Sequence, residues 1–171
     1  MNETLMNILG RRSIRKYLDK PVDKAIVDMV LAAGCAAPSA CNVRPVRFIV
    51  IDKDGMNKLA ENLEEKTPFR EGQWAIAVCG DTRGYALNLA WLEDCAAAME
   101  NMQIACKSLG LGSLWFGVYH RPEKEKAVRV FLEVPDGIEV LGIIIMGYTN
   151  VVKPSYSGVD KAKVCYGKWS E

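Results

Sequence analysis

Residues 87–109 read LNLAWLEDCAAAMENMQIACKSL, the longest helical pattern in this chain of 171 residues. At 1.5 Å per residue such a helix spans roughly 34 Å, about twice the length of an average helix in a globular domain. Alanines give the helix flat sides between its Leu, Met and Trp side chains. We therefore predict that it forms the central core helix, and we expect it to pack also against its own copy in a symmetric partner.

The segments on either side of this helix alternate between helical and strand patterns. Apolar residues at helical spacing predict helices over 5–9, 22–34, 56–65 and a stretch after Pro122. Short apolar runs predict strands over 47–51, 74–79, 113–118 and 138–148. Residues 67–72 are predicted to be a polar loop. Because helices and strands alternate without an internal repeat, we predict one α+β domain over residues 1–171, built on a central sheet.

The last segment, residues 149–171, lacks a clear period but contains Tyr156, Tyr166 and Trp169. Disordered tails contain few aromatic residues. We therefore predict a C-terminal arm that wraps around the rest of the protein.

The overall charge argues against a broad surface for nucleic acid. The 22 Lys and Arg residues nearly balance the 21 Asp and Glu residues, and the isoelectric point is about 7.5. A nucleic-acid-binding protein usually has a basic face and a raised isoelectric point. The longest strongly apolar run, residues 140–146, is far shorter than the ~20 residues that a membrane helix needs, and the amino terminus does not have the pattern of a signal peptide. We therefore expect no nucleic-acid partner, no membrane association and a cytoplasmic location.

Six cysteines and one histidine limit the chemistry that side chains can perform. Cys79, Cys95 and Cys106 lie inside apolar patterns, where a free thiol behaves as a small hydrophobic group. The chain has no CxxC pair and His120 is its only histidine, so we expect no metal site, and free thiols in a reducing compartment. Cys41 lies in a polar loop, but a nucleophilic cysteine needs an activating base, and a single histidine makes a Cys–His pair a weak candidate.

A cluster of arginines, RRSIR at residues 11–15, is the strongest sign of a ligand site. It places three guanidinium groups and one hydroxyl within five residues of a nearly neutral chain. The planar guanidinium group forms paired hydrogen bonds with phosphate oxygens, so the cluster suits one compact dianion. The alternative is that these cations and Lys16 form the solvated C-terminal end of a helix, where positive charge is favourable. Charge alone leaves both interpretations open.

Two further stretches fit a phosphorylated cofactor. APSACN at residues 37–42 is a polar loop, interrupted by proline, between an apolar helix and an apolar strand, where ligand-contacting atoms are often found. LWFG at residues 114–117 is a strand that is either ordinary core or a surface for a flat ring. GLGSLW at residues 110–115 is not a dinucleotide fingerprint, because the helix precedes the glycines instead of following them. We interpret these glycines as the end of the long helix.

Four motifs in this order resemble those of the nitroreductase family of FMN-dependent oxidoreductases, in its short single-domain form. They are RRSIR (11–15), PSACNVRP (38–45), DCAAAMENM (94–102) continuing into LGLGSLW (109–115), and a strand that ends in Gly147-Tyr148. Each motif is weak alone, but their order over nearly the whole chain is specific. The resemblance implies an α+β homodimer with a mostly antiparallel central sheet surrounded by helices, a long central helix, and a C-terminal arm that reaches the partner subunit.

The resemblance also implies two FMN molecules bound at the subunit interface. Arg11, Arg12 and Ser13 correspond to the phosphate site, and Arg15 corresponds to the cation near N1 and O2 of the flavin. The loop that reaches the flavin of the partner subunit corresponds to Pro38, Ser39, Ala40 and Asn42. The strand that passes the ring near N5 corresponds to Leu114, Trp115, Phe116 and Gly117. Relatives usually place a further cation of the tail at the phosphate; residues 154–158 contain none, and the candidates here are Lys161 and Lys163.

The implied activity is a ping-pong reaction in which NADH or NADPH reduces the flavin, leaves, and is replaced by a nitro compound, a quinone or a similar electron-poor acceptor. The flavin carries the chemistry, so we predict no catalytic side chain, and Arg15 stabilises the negative charge of the reduced flavin. One alternative is a flavin storage or sensor protein with little turnover. Another is a specialised, dehalogenase-like flavin enzyme, which needs a lid for which residues 64–73 are short. A dimeric structural module without a ligand leaves the arginine cluster unexplained.

The chain departs from the family pattern Asn-x-Gln-Pro-Trp, because it reads Asn42-Val43-Arg44-Pro45-Val46. Arg44 adds a positive charge beside the expected pocket, and Val46 removes an aromatic wall. Either change could alter the choice of acceptor, for example toward anionic substrates.

Overall fold

The computed structural model of the protein describes residues 2–84 and 90–169. The helices in this part of the chain are α1 (Glu3–Gly10), α2 (Lys24–Cys35), α3 (Lys53–Glu61), α4 (Thr67–Glu71), α5 (Ala90–Ser108) and α6 (Pro122–Phe131). The strands are β1 (Val46–Ile51), β2 (Trp74–Asp81), β3 (Gly112–Gly117) and β4 (Ile138–Gly147). Two short 3-10 turns lie at Ala40–Asn42 and Lys161–Lys163.

The strands form one sheet in the order β1-β2-β4-β3, and every pair of neighbours is antiparallel. The two central strands, β2 and β4, pair along their length, with Ile76 opposite Ile144. At the β3 edge, the segment that follows α1 adds one parallel bridge between Ser13 and Ser113. The predicted α+β class and the antiparallel central sheet are confirmed.

The central strands are buried on both faces of the sheet, which is why their sequences read as continuous apolar runs. Residues 75–79 and 143–146 are fully buried. On one face these strands join a cluster with Met56 of α3 and Phe69 of α4, and on the other face they join Val30 of α2 and Met99 of α5. The protein therefore has two hydrophobic layers, one on each side of a single sheet.

Helix α5 is the long central helix that the sequence predicts, and it contacts α1, α2 and the sheet. The close approach of α2 depends on Gly34, where a Cβ atom would lie 2.8 Å from Sδ of Met102. The predicted helix begins at residue 87, and residues 87–89 lie outside the described part of the chain. Although α5 is the longest described helix, neither it nor any other described helix is both long and apolar enough to cross a membrane. Packing of α5 against a symmetric copy stays a prediction.

Two sequence predictions between β1 and β2 are wrong. The expected polar loop over 67–72 contains α4, because Phe69 is fully buried and its ring lies edge-on, 5.0 Å from the ring of Phe116. Helix α3 begins at Lys53 instead of residue 56, because the carboxylate of Asp52 accepts a hydrogen bond from Gly55 N at 2.8 Å and caps the helix. In both cases a tertiary contact or a cap outweighs the apolar periodicity.

The two termini leave apolar side chains uncovered by the rest of the chain. None of the residues of α1 is buried, and residues 150–169 are all exposed. The exposed apolar side chains include Leu5, Met6 and Ile8 of α1, together with Val152 (93%), Tyr166 (93%) and Trp169 (87%) of the tail. A hydrogen bond from Tyr156 N to Leu9 O, at 3.0 Å, joins the tail to α1. That this arm reaches a partner subunit stays a prediction.

Candidate functional site

The arginine cluster begins at the C-terminal end of α1 and continues in an extended segment beside the sheet. Helix α1 ends at Gly10, and Arg11 already has extended backbone angles, φ −65° and ψ 127°. The segment then runs along β3, where Ile14 N donates to Ser113 O at 2.8 Å. The cluster therefore combines features of both interpretations, because Arg11 caps the C-terminal end of α1, whereas Arg11 and Arg12 also border a cleft together with the first residues of β3.

A cleft of about 210 Å³ opens where the end of α1, the end of α5, the start of β3 and the tail meet. Four cationic side chains line it, and its lining contains no Asp or Glu. These cations are Arg11, Arg12, Lys107 and Lys153. We call this the cationic cleft. In a chain whose net charge is only +1, four positive charges without a carboxylate among them suit a compact polyanion such as a phosphate group.

Backbone carbonyls of the site itself hold two of these cations in place. Lys153 Nζ donates to Ser13 O at 2.7 Å, and Arg12 Nη1 donates to Pro154 O. The guanidinium group of Arg12 also lies 4.9 Å from the ring centre of Tyr156. Because these bonds connect the arginine segment with the tail, the tail fixes the position of the cations before any ligand binds.

The other two cations come from α1 and α5. Arg11 Nε pairs with Glu100 Oε1 of α5 at 3.0 Å, so part of its charge is compensated while its remaining donors line the cleft. Lys107 lies in the last turn of α5 beside Gly10, where a Cβ atom would be 3.2 Å from Lys107 Cε. The sequence interpretation missed Lys107 and Lys153. A search for cations over the whole tail from residue 149, instead of from Pro154, would have found Lys153.

The predicted tail cations lie elsewhere in the same chain. Lys161 and Lys163 form an exposed 3-10 turn, where Lys163 Nζ pairs with Asp160 at 3.1 Å, and neither residue lines the cationic cleft. Within one chain the tail cation at the site is Lys153.

A larger cleft of about 480 Å³ opens beside Arg15 and Leu114. Its other walls come from Lys16 and from residues 64–68, which connect α3 to α4 and begin α4. We call this the side cleft. Because Ser113 lines the cationic cleft and Leu114 lines the side cleft, consecutive residues of β3 border the two clefts. Both clefts therefore open along the same strand of the sheet.

Strand β3 combines the two roles that its sequence left open. Leu114 and Phe116 are buried and belong to the core, which confirms the core interpretation for these side chains. Trp115 and Gly117 are partly exposed. Within the described residues β3 is an edge strand, and the bridge at Ser113 is its sole pairing on the outer side. Beyond Ser113 the outward main-chain groups of β3 have no strand partner among the described residues.

The loop over residues 38–44 is stiff and lies apart from both clefts. Ala40 N donates to Oδ1 of Asp94, a residue of α5 that is 4% exposed, at 2.8 Å. Three residues that carry side chains have left-handed φ angles, namely Cys41 (48°), Asn42 (56°) and Arg44 (55°). Such angles are strained for residues other than glycine and persist where surrounding bonds enforce them. None of the predicted site residues of this loop lines either cleft of its own chain.

The titratable groups beneath the site are structural. Burial raises the pKa of Tyr17, whose hydroxyl donates to Ile14 O at 2.8 Å and so fastens the arginine segment to the core. Burial also raises the pKa of the Cys79 and Cys95 thiols to about 12, so neither is a thiolate at neutral pH. The described residues contain no group of three or more His, Cys, Asp or Glu side chains that could hold a metal ion.

The antiparallel sheet and the long central helix define an α+β protein in which two clefts open along one edge strand. The chain belongs to the nitroreductase family, whose family model matches residues 8–89 and 69–148.

Similar proteins agree with this assignment over almost the full length. A protein of Archaeoglobus fulgidus with the name "Putative NADH dehydrogenase/NAD(P)H nitroreductase" is 37% identical over 164 residues, which cover 94% of each chain. The crystal structure of a Parabacteroides distasonis protein of the same name has a TM-score of 0.90 at 38% identity, and the match covers 99% of this chain and 100% of that one. An FMN-dependent nitroreductase from Clostridium difficile has a TM-score of 0.87 at 32% identity, with 96% and 99% covered.

Proposed function

We propose that this protein is an FMN-dependent oxidoreductase that uses NADH or NADPH to reduce a small electron-poor acceptor, such as a nitro compound or a quinone, in a ping-pong reaction. The observation that carries the proposal is the cationic cleft, with four cations and no carboxylate in its lining, next to the side cleft on the same strand. The similarity to an FMN-dependent nitroreductase supports the choice of cofactor.

The donor set of the cationic cleft fits the phosphate group of FMN. Two guanidinium and two ammonium groups complement a dianion, and charged hydrogen bonds of this kind are short and strong. Gly110, with φ +76°, adds open space, because a Cβ atom there would have no neighbour within 4 Å. We assign the phosphate to Arg11, Arg12 and Lys153 of the cleft lining, with Lys107 as a further cation. The resemblance adds the hydroxyl of Ser13, which does not itself line the cleft, and Lys161 is the alternative cation of the tail.

The flat part of the cofactor fits the side cleft and the outer edge of β3. We assign Arg15 to the polar edge of the ring and the main chain of residues 114–117 to its N5 side. Arg15 is exposed and forms no ion pair with a described carboxylate, so its full charge is available to a ligand. A cation at this position stabilises negative charge that develops on the reduced ring.

Bound FMN would supply the redox chemistry, namely hydride transfer from NADH or NADPH to an acceptor, and one solvent proton would complete the reduction of a quinone to a hydroquinone or of a nitro group to a nitroso group and water. The protein's own residues bind and orient. Arg11, Arg12 and Lys153 hold the anionic end, and Arg15 supports the polar edge of the ring in the side cleft, whose solvent side admits donor and acceptor in turn. Since the cofactor carries the chemistry, a nucleophile–base pair is not required.

We also propose a homodimer in which the loop over residues 38–42 completes the flavin site of the partner subunit. This loop lines neither cleft of its own chain, although it is held rigidly by Asp94 of α5. The uncovered apolar side chains of α1 and the tail supply a second argument, because large exposed apolar surfaces mark interfaces. The five free thiols Cys35, Cys41, Cys79, Cys95 and Cys106 favour the reducing cytoplasm as its location.

The test compares FMN with riboflavin, which has the same ring but no phosphate. Protein freed of flavin is titrated with each compound, and we expect riboflavin to bind at least about tenfold more weakly, because it forgoes the charged hydrogen bonds of the cationic cleft. The FMN complex is then mixed with NADH or NADPH without oxygen, and the visible flavin absorbance should bleach. Absence of flavin binding contradicts the proposal, and bound flavin that neither donor reduces favours a storage or sensor protein.

A further inference from the structure

The guanidinium group of Arg44 is fixed in direction by the loop that carries it. Arg44 N donates to Oγ of Ser39 at 2.9 Å, and Arg44 O accepts from Nη1 of Arg47 at 3.1 Å. Its side chain then turns back so that Nε donates to Oδ1 of Asn42 at 2.9 Å. With its left-handed φ angle of 55°, Arg44 is held by bonds at its backbone and at Nε together. A long exposed side chain with so many constraints presents its terminal amino groups in one direction.

The charge of Arg44 is not compensated within the described residues. Neighbouring arginines have partners: Arg47 pairs with Asp81 at 3.6 Å, and Arg83 pairs with the same carboxylate at 2.8 Å. Arg44 forms no ion pair with any carboxylate in residues 2–84 or 90–169, and its one side-chain bond is to the neutral amide of Asn42. The two terminal amino groups, Nη1 and Nη2, retain donors that match the two oxygens of a carboxylate.

The position of the Arg44 charge suits a contact with the acceptor better than one with the phosphate of FMN or with the charged groups of NADH and NADPH. If Asn42 reaches the flavin of the partner subunit, Arg44 lies one hydrogen bond farther, at the ring end of the site. The phosphate of the cofactor belongs to the cationic cleft, which the loop of Arg44 does not line. NADH and NADPH carry their phosphate charges beyond the ribose that is attached to the nicotinamide, and not on the ring that must meet the flavin. A small aromatic acid, in contrast, places its carboxylate about one ring away from the group that is reduced.

We propose that Arg44 makes this protein selective for acceptors that carry a carboxylate, which its terminal amino groups bind in a bidentate manner at the mouth of the flavin site. The proposal rests on the proposed function and names the substrate class of that site. Because the Oδ1 atom of Asn42 accepts the hydrogen bond from Arg44, the Nδ2 group of Asn42 is the part of that side chain that is left to donate to the flavin.

The first experiment measures reduction of two acceptors of the same shape, para-nitrobenzoate and para-nitrobenzamide, by the FMN-loaded protein. The readout is the ratio of kcat/KM for the acid to kcat/KM for the amide. We expect Arg44→Gln to lower this ratio by about tenfold or more, because it removes a charged hydrogen-bonding pair, and Arg44→Lys to lower it less. Lys126→Gln, which removes an equal charge from an exposed position of α6, should leave the ratio within about twofold.

The second experiment measures binding without turnover. Benzoate and benzamide are titrated into the oxidised flavoprotein, and the change in flavin absorbance gives the two dissociation constants. We expect benzoate to bind more tightly than benzamide to the wild-type protein, and Arg44→Gln to abolish the difference.

The outcomes separate this proposal from the proposed function. If the wild-type protein binds FMN and is reduced by NADH or NADPH, but Arg44→Gln leaves both ratios unchanged, the selectivity proposal is overturned and the proposed function stands. Weaker FMN binding in Arg44→Gln with unchanged ratios makes Arg44 a flavin ligand instead. Slower reduction by NADH or NADPH with unchanged ratios makes it a ligand of the donor. Each of these results rejects the proposal.

Discussion

Replacing Lys153 by glutamine should weaken FMN binding by roughly 10- to 70-fold. The ammonium group lines the cationic cleft and is already held by Ser13 O at 2.7 Å, so binding costs little further side-chain entropy. A hydrogen bond to a charged group contributes about 1.5–3 kcal/mol, and a unit charge 4 Å away contributes about 1 kcal/mol even at the dielectric constant of water. Because Lys153 is exposed, we use the lower part of this range, about 1.5–2.5 kcal/mol.

The assay is a titration of flavin fluorescence on protein freed of FMN, at low and at moderate salt. Two controls make it specific. Affinity for riboflavin should not change in Lys153→Gln, because riboflavin has no phosphate, and Lys161→Gln should bind FMN nearly as well as the wild-type protein. An FMN affinity that falls less than about twofold in Lys153→Gln, or that falls more in Lys161→Gln, would refute the assignment of the tail cation and return it to Lys161.

Three further predictions concern stability, each measured by urea unfolding at one protein concentration. Gln103→Leu should stabilise the fold by about 1 kcal/mol, because the buried Nε2 of Gln103 has no hydrogen-bond partner within the described residues. Gly142→Ala should destabilise it by about 1–3 kcal/mol, because a Cβ atom would lie 2.7 Å from the backbone oxygen of Phe116, which cannot move without breaking β3. The hydrogen bond from Arg83 lowers the pKa of Asp81 to about 2, below its unfolded value of about 3.9. Its stabilisation is therefore present above about pH 4 and is lost as the pH falls toward 2, and Asp81→Asn should remove this part of the acid sensitivity.

Much of the fold could be predicted because its strongest elements depend on local sequence patterns. Helix α5 is long enough for its periodicity to be clear, and β2 and β4 are continuous apolar runs whose limited length favours a buried strand over a buried helix. Helix α4 was missed because five residues are too few to show a helical period, and its stability comes from the burial of Phe69 against Phe116. The start of α3 depends on the cap formed by the Asp52 side chain, and predicting such a boundary requires knowing where that one side chain lies.

In the candidate site, too, some features could be predicted from the sequence and others depend on tertiary contacts. The arginine cluster and the loop over 38–42 stand out in the sequence because guanidinium groups and an interrupted polar loop are unusual in a neutral apolar chain. The bridge from Ser13 to Ser113 places the arginine cluster beside β3. The hydrogen bond from Ala40 to Asp94 instead attaches the loop over 38–42 to α5. Lys107 and Lys153 come from distant points of the chain and meet only where α5 ends and the tail returns.

The sequence by itself determined the family, the α+β class and the central helix, and it led to the hypothesis of a compact anion as ligand, because these depend on composition, local periodicity and the order of motifs. The tertiary structure alone decided which cations converge on one cleft, which side chain of the tail completes it, and in which direction Arg44 points. The physical reason is that charge and hydrogen-bond geometry depend on distances of a few ångströms between residues that the sequence separates by more than a hundred positions, as it does Ser13 and Lys153.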